Sequence, residues 1–294
     1  MFRRLVGAAI LALLIFNAAG AGAATPRRVE RFWTPRRMAN ARPIEMTVRG
    51  GRADVHLGRR PAAARASYSL VGTPEVAPYA WNGRLFVVLD GKEGFCSATA
   101  IESESRRLVL TAGHCVNSGP KDGHPGHWAT DLEFVPGFNL GVAPYGTFAL
   151  SGRPRAPRHW VKEGNPDYDL GAFITEPNAE GVDLDDAVGG GARIVTDQDR
   201  HQRYETFAYP GGTERLRTCV SGFAGEDPVT AGLLGPSTIG IRCYWAPGSS
   251  GGGWLIEGGH EIAGISTYVR VDEKKKTFGP YFAASTVGRL VEGL

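Results

Sequence analysis

Three short segments carry residues that could act together on an acyl group. Gly248-Ser249-Ser250-Gly251-Gly252 sets a serine among glycines, Leu110-Thr111-Ala112-Gly113-His114-Cys115 ends an apolar run on a histidine, and Tyr168-Asp169-Leu170-Gly171-Ala172-Phe173 opens one with an aspartate. A serine hydroxyl is a poor nucleophile at neutral pH and needs a base within hydrogen-bond reach. The base in turn needs a carboxylate to fix its tautomer and stabilise its charged form. On this logic Ser250 is the nucleophile, His114 the base and Asp169 the carboxylate. Asp167 shares the same face of an extended chain and is the rival. Asp169 is preferred because it stands at the mouth of a buried strand, where a desolvated carboxylate can pair with an imidazole. The glycines have a task too: the attacked carbonyl becomes an oxyanion that the N–H groups of Gly248 and Ser250 can meet, with Gly251 and Gly252 allowing close backbone approach. Alone, such a pentapeptide is better read as a plain turn; the order His, Asp, Ser makes the catalytic reading stronger.

The histidine and serine segments resemble those of the trypsin-like (chymotrypsin-fold) serine peptidases, in which Thr-Ala-Gly/Ala-His-Cys carries the base and Gly-x-Ser-Gly-Gly the nucleophile. The resemblance runs from about Trp81 to the C-terminus and implies a serine endopeptidase acting through an acyl-enzyme. The same pentapeptide fits the elbow of α/β-hydrolase esterases, but that fold needs Ser, then acid, then His, and after Ser250 only His260 remains. A protease-fold binding module that has lost activity usually lacks a triad member, and none is lacking here. Many family members pair a new N-terminus with an aspartate just before the serine; Ser249 holds that place. Leu70-Val71-Gly72-Thr73 could imitate the new N-terminus, but its ammonium would be a buried charge without a partner. The chain is therefore expected not to use that switch and to be similar to the bacterial glutamyl-endopeptidase-like branch. The resemblance places the substrate pocket at Tyr244 and at Ile265-Ser266-Thr267-Tyr268. Tyr244 offers no charge to Arg or Lys, and Ile265 replaces the histidine of glutamate-specific relatives, so a neutral or small side chain is expected before the cut.

The elements that must hold these residues read as short strands. Arg84–Leu89, Arg107–Thr111, Tyr145–Leu150, Leu170–Ile174, Tyr204–Tyr209, Leu216–Ser221, Thr238–Tyr244, Trp254–Glu257, Ile262–Thr267 and Gly279–Ala283 are β-branched or aromatic runs separated by Gly, Pro, Asn and Asp. Helical periodicity is confined to Ala112–Val116 and Ser285–Leu294. Many short strands with few helices mean an antiparallel sandwich or barrel; the resemblance implies the all-β fold of two six-stranded antiparallel β-barrels, chymotrypsin-like, with a short C-terminal helix. The protease domain is placed at 76–294, with barrel 1 at about 80–185, barrel 2 at about 190–294 and a break near Glu180–Gly191.

The net charge of +3 averages two unlike regions: residues 1–68 carry +10 and residues 69–294 carry −7. It gives no reason to expect nucleic-acid binding. Arg3 and Arg4, an apolar run from Leu5 to Phe16 and Ala21-Gly22-Ala23 read as a signal peptide over 1–24, too short in its apolar part to span a membrane. Residues 25–75, rich in Arg, Pro and Ala, read as a removable pro-segment or a disordered arm. Export lets the four cysteines pair. Of three possible pairings, Cys96 with Cys115 and Cys219 with Cys243 close the shortest loops. No metal or cofactor is expected: His124 and His127 lack a further ligand, and Asp183, Asp185 and Asp186 lack calcium-loop spacing. The expected partner is a protein or peptide substrate, with no nucleic acid and no membrane after signal cleavage, for a secreted, extracellular monomer.

Overall fold

The protein is described, in a computed structural model, over residues 26–59, 68–273 and 275–294. The signal reading of Met1–Ala24 lies outside these residues. What is described of the basic arm is folded. Pro26–Phe32 (α1) and Pro35–Asn40 (α2) are short helices. The second starts at Thr34, whose hydroxyl accepts the Arg37 N–H, with Pro35 at a position where a missing N–H costs little. Val29, Trp33 and Met38 are buried, and Trp33 Nε1 donates to the Asp131 carbonyl at 2.5 Å. Arg42–Arg49 (β1) and Arg52–Leu57 (β2) then form an antiparallel hairpin turned at Gly50-Gly51. An arm with this composition cannot bury a core of its own; it is ordered because its few apolar residues dock on a neighbouring one. Ser69–Leu70 (β3) joins the second half of the molecule.

In the first half, Asn82–Leu89 (β4), Lys92–Ile101 (β5), Leu108–Thr111 (β6), Thr130–Pro136 (β7), Phe148–Arg155 (β8) and Gly171–Thr175 (β9) close an antiparallel barrel in the order β4-β5-β6-β9-β8-β7 and back to β4. Asp90 and Gly91, with φ of 49° and 71°, form the tight turn that aligns β4 with β5. Leu85, Leu110, Phe134, Phe148 and Phe173 are fully buried. Gly113–Val116 (α3) follows β6, Arg158–Glu163 (α4) precedes β9, and Leu184–Val188 (α5) follows β9.

The second half comprises Arg193–Ile194 (β10), Arg203–Ala208 (β11), Arg217–Glu226 (β12), Ile239–Ile241 (β13), Gly253–Ile256 (β14), Glu261–Ile265 (β15), Val269–Arg270 (β16) and Thr277–Gly279 (β17). Its sheet runs β10-β15-β14-β11-β12-β13-β17, with β3 on β12, over a core that includes Tyr204, Ile239, Ile241 and Trp254. A helical stretch from Ala284 to Val291 (α6) ends the fold. Both expected disulfides are present: Cys96–Cys115 ties β5 to α3, and Cys219–Cys243 ties β12 to the segment after β13.

The arm also shapes the titration of the first barrel. Glu133 on β7 is buried with Oε2 unpartnered. Burial drives its pKa up to about 8, against a lowering hydrogen bond from Thr147, and Glu30 of α1 pushes the same way as burial. The folded protein thus keeps a proton that the unfolded chain releases near its ordinary value of 4.5. The stability this confers is complete below that value and is lost as pH rises through about 8, at a slope approaching about 1.4 kcal/mol per pH unit. Urea unfolding at pH 6 and pH 8 should show the loss, and Glu133→Gln should remove this component of it. An unchanged slope in that variant would contradict the assignment.

Candidate active site

The ladder between β6 and β9 puts the histidine and its carboxylate together. Thr111 faces Gly171 across that ladder, His114 lies three residues beyond one, and Asp169 two residues before the other. Both side chains are fully buried. His114 Nδ1 is 2.7 Å from Asp169 Oδ2, and the His114 backbone N–H donates to Oδ1 at 2.7 Å. A carboxylate so engaged fixes the ring proton on Nδ1 and leaves Nε2 as a lone-pair acceptor. Nε2 is buried with no hydrogen-bond partner. Buried polar atoms are almost always paired, so an unpartnered acceptor of this kind makes the ring a candidate for contact with a substrate or nucleophile. Trp160 of α4 packs edge-on to the ring, centroids 6.3 Å apart, and its Nε1 donates to the Asn117 carbonyl.

Asp167 lies elsewhere. Its Oδ1 accepts the Thr238 N–H at 2.9 Å, and burial raises its pKa to about 6.

Ser250 sits in the turn before β14, and that turn is stitched to the first barrel. Its carbonyl accepts the Ser97 N–H at 2.8 Å and lies 3.9 Å from Cys115 Sγ, one residue from His114. Ser97 Oγ donates to the Gly248 carbonyl at 3.0 Å and accepts the Tyr209 N–H at 2.8 Å. The Ser250 hydroxyl has only a long contact, 3.5 Å, with the Thr267 carbonyl. Two glycines are obligatory here. Gly248 has φ +92° and Gly251 φ +83°, and a Cβ on Gly251 would stand 2.2 Å from Thr111 Oγ1 and 2.3 Å from the Ser97 carbonyl. The Gly248 N–H donates to the Ile44 carbonyl of β1 at 2.9 Å.

Beside Ser250 a small pocket is lined by Trp245, Ala246, Pro247, Ser266, Thr267, Tyr268 and Thr277, with Glu45 and Met46 of β1. Tyr244 and Ile265 are not among its lining residues, and Ile265 belongs to the core. Trp245, Ala246 and Thr277 were not singled out from the sequence. The first two directly precede Pro247-Gly248 and could have been noticed by proximity, whereas Thr277 follows a Lys run and carries no such signal. Tyr268 turns its hydroxyl away, to Asp227 Oδ2 at 2.6 Å and Thr238 Oγ1 at 2.8 Å, and Arg270 closes the network on Asp227 at 2.9 Å. Ser249 is buried with its hydroxyl unpartnered, and Leu70 is paired with Arg217 in the β3–β12 ladder. Cys96, His114 and Cys115 place donor atoms within 4.8 Å of one another, but the two sulfurs are bonded together and Nδ1 is held by Asp169, so the group does not suit a metal.

No protein-family model and no curated protein sequence matches the chain. Solved structures do. A thermostable serine protease, AL20, from an extremophilic microorganism is 27% identical with a TM-score of 0.63, over 72% of this chain and 95% of that one. The protease Anisep of Arthrobacter nicotinovorans is 29% identical with a TM-score of 0.64, over 72% and 93%. A Glu endopeptidase is 19% identical with a TM-score of 0.61, over 76% and 95%. The fold is that of the chymotrypsin-like serine proteases.

Proposed function

We propose that this chymotrypsin-fold chain is a secreted serine endopeptidase of the glutamyl-endopeptidase-like branch, with Ser250 as nucleophile, His114 as base and Asp169 as the orienting carboxylate. One observation carries the reading: a buried His114–Asp169 pair whose Nε2 has no partner, with the carbonyl of the glycine-flanked Ser250 3.9 Å from Sγ of the adjoining Cys115. His114 Nε2 takes the Ser250 proton as Oγ attacks a peptide carbonyl, and Asp169 stabilises the imidazolium. The N–H groups of Gly248 and Ser250 meet the oxyanion. His114 then hands its proton to the leaving amine, and water, activated by the same imidazole, hydrolyses the acyl-serine. Apart from Glu45 of β1, the pocket lining carries no charged side chain, which supports a neutral or small residue before the cut, with Ser266, Thr267 and Tyr268 as its wall.

Export belongs to the same reading, supported by the two disulfides and by the arginines and apolar run that begin the sequence. Among the described residues no helix is long and apolar enough to cross a membrane. The decisive experiment treats the protein recovered from the medium with an active-serine reagent, locates the adduct by mass spectrometry and sequences the N-terminus. An adduct on Ser250 is expected; an adduct elsewhere, or none on a form lacking residues 1–57, contradicts the proposal. A peptide-library profile dominated by cleavage after Arg or Lys would contradict the specificity.

A further inference from the structure

β1 lies across the site. Its first residues pair in parallel with β5 of the first barrel, Arg42 facing Gly94 and Pro43 facing Phe95. Its later residues pair in parallel with β16 of the second half, Thr47 facing Val269 and Val48 facing Arg270. Between these ladders the Ile44 carbonyl takes the Gly248 N–H at 2.9 Å, and Glu45 and Met46 line the pocket beside Ser250. Ile44, Met46 and Val48 are 0%, 1% and 2% exposed. Met46 and Val48 cluster with Trp160 from one half and with Tyr268 and Phe278 from the other. The strand is held along its other edge by β2, with Gly58 N–H donating to the Pro43 carbonyl at 2.7 Å.

Direction decides what such an occupant does. In the reaction above, the amine leaving from a carbonyl in the Gly248 site must depart toward His114, on the first-barrel side next to the Cys96–Cys115 bridge. β1 enters along β5 and continues from Ile44 toward β16, so the Ile44–Glu45 amide points the other way. A peptide laid in the same groove with its chain reversed would pair antiparallel with both edges and offer its amine to His114. Resting on the endopeptidase reading, we propose that Arg42–Arg49 is an intramolecular inhibitor threaded through the substrate cleft in reversed polarity, filling the oxyanion site with a carbonyl that cannot be turned over. Being tethered, it occupies the cleft at a high effective concentration and does not need strong intrinsic affinity. Because Ser250 cannot cut the strand that is presented to it backwards, the strand's release requires the chain to be severed elsewhere, between Leu57 and Ser69.

The test uses the full chain. Met46→Asp and, separately, Thr47→Pro are expected to raise the rate of Ser250 labelling by an active-serine reagent by roughly tenfold or more, because the open cleft is a minor state in the unsubstituted chain. Val142→Ala, in an exposed turn of the first barrel, should leave the rate unchanged, and thermal unfolding should show each variant folded. A full chain carrying a foreign protease site between Leu57 and Ser69 should gain the same reactivity once cut and washed. A synthetic peptide of residues 26–57 should then suppress it and be recovered intact. Equal labelling of the folded full chain, its variants and the cut form would remove the inhibitor while leaving the endopeptidase in place. Recovery of the peptide cut between Ile44 and Glu45 would overturn the reversed polarity. If no form is labelled, the endopeptidase reading itself falls and the inhibitor with it.

Discussion

Asp169→Asn is expected to lower kcat by about 10⁴-fold with KM within a factor of a few, measured on the mature form. The reason lies in how the two carboxylate oxygens are used. Oδ1 accepts the His114 backbone N–H, which can only donate, and Oδ2 faces Nδ1. An asparagine must keep its one oxygen on the backbone donor, which turns its NH₂ toward the ring. Nδ1 then becomes an acceptor, the ring proton moves to Nε2, and the base arrives at Ser250 already protonated. The side chain is almost isosteric and both groups stay satisfied, so the fold should survive. Loss of activity with an unchanged melting temperature is the expected signature; a loss of less than about tenfold would show that Asp169 does not orient the base.

Gly251→Ala should be among the most damaging single-methyl changes in the molecule. The residue has φ +83°, and the added carbon would meet Thr111 Oγ1 at 2.2 Å and the Ser97 carbonyl at 2.3 Å. Neither neighbour can yield. Thr111 Oγ1 is fixed by its own bond to the Ser97 carbonyl at 2.8 Å, and Ser97 holds both Gly248 and Tyr209. Strained backbone and overpacking together should cost about 3–5 kcal/mol, visible as a lower denaturant midpoint, and the Ser250 turn should lose its register with β5. Gly258→Ala, at φ +80° with nothing within 4 Å, supplies the comparison. It carries the conformational strain without the collision and should cost much less. Equal destabilisation by the two variants would show that the close approach at Gly251 is unimportant.

The residues at the centre of the site are readable in the sequence because their demands are local. A histidine at the end of an apolar run, an aspartate at the start of another and a serine in a glycine turn each need only a few neighbours to be recognised. The second-half strands from Tyr204 and Trp254 are readable for a similar reason, being rich in aromatic or branched residues. β5 is not, because Gly-Phe-Cys-Ser-Ala-Thr-Ala has little intrinsic strand preference; it is a strand because β4, β6 and the Asp90-Gly91 turn make it one. The pocket is hidden for another reason. A count of six residues back from Ser250 reaches Tyr244, but the chain from Trp245 to Pro247 is irregular, and these nearer residues line the cavity. The arm is hidden most deeply. Val29, Trp33, Ile44 and Met46 are too sparse to announce a core, and their burial depends entirely on surfaces the rest of the chain provides.

The two-sided pairing of β1 also bears on how the chain behaves in concentrated solution. An unpaired sheet edge is a template for any extended polypeptide, other copies included. While β1 is seated, the start of β5 and the whole of β16 are already paired and present no such template. A chain without it leaves both unpaired at once. The form best able to receive a peptide is therefore also the form most prone to stick to itself.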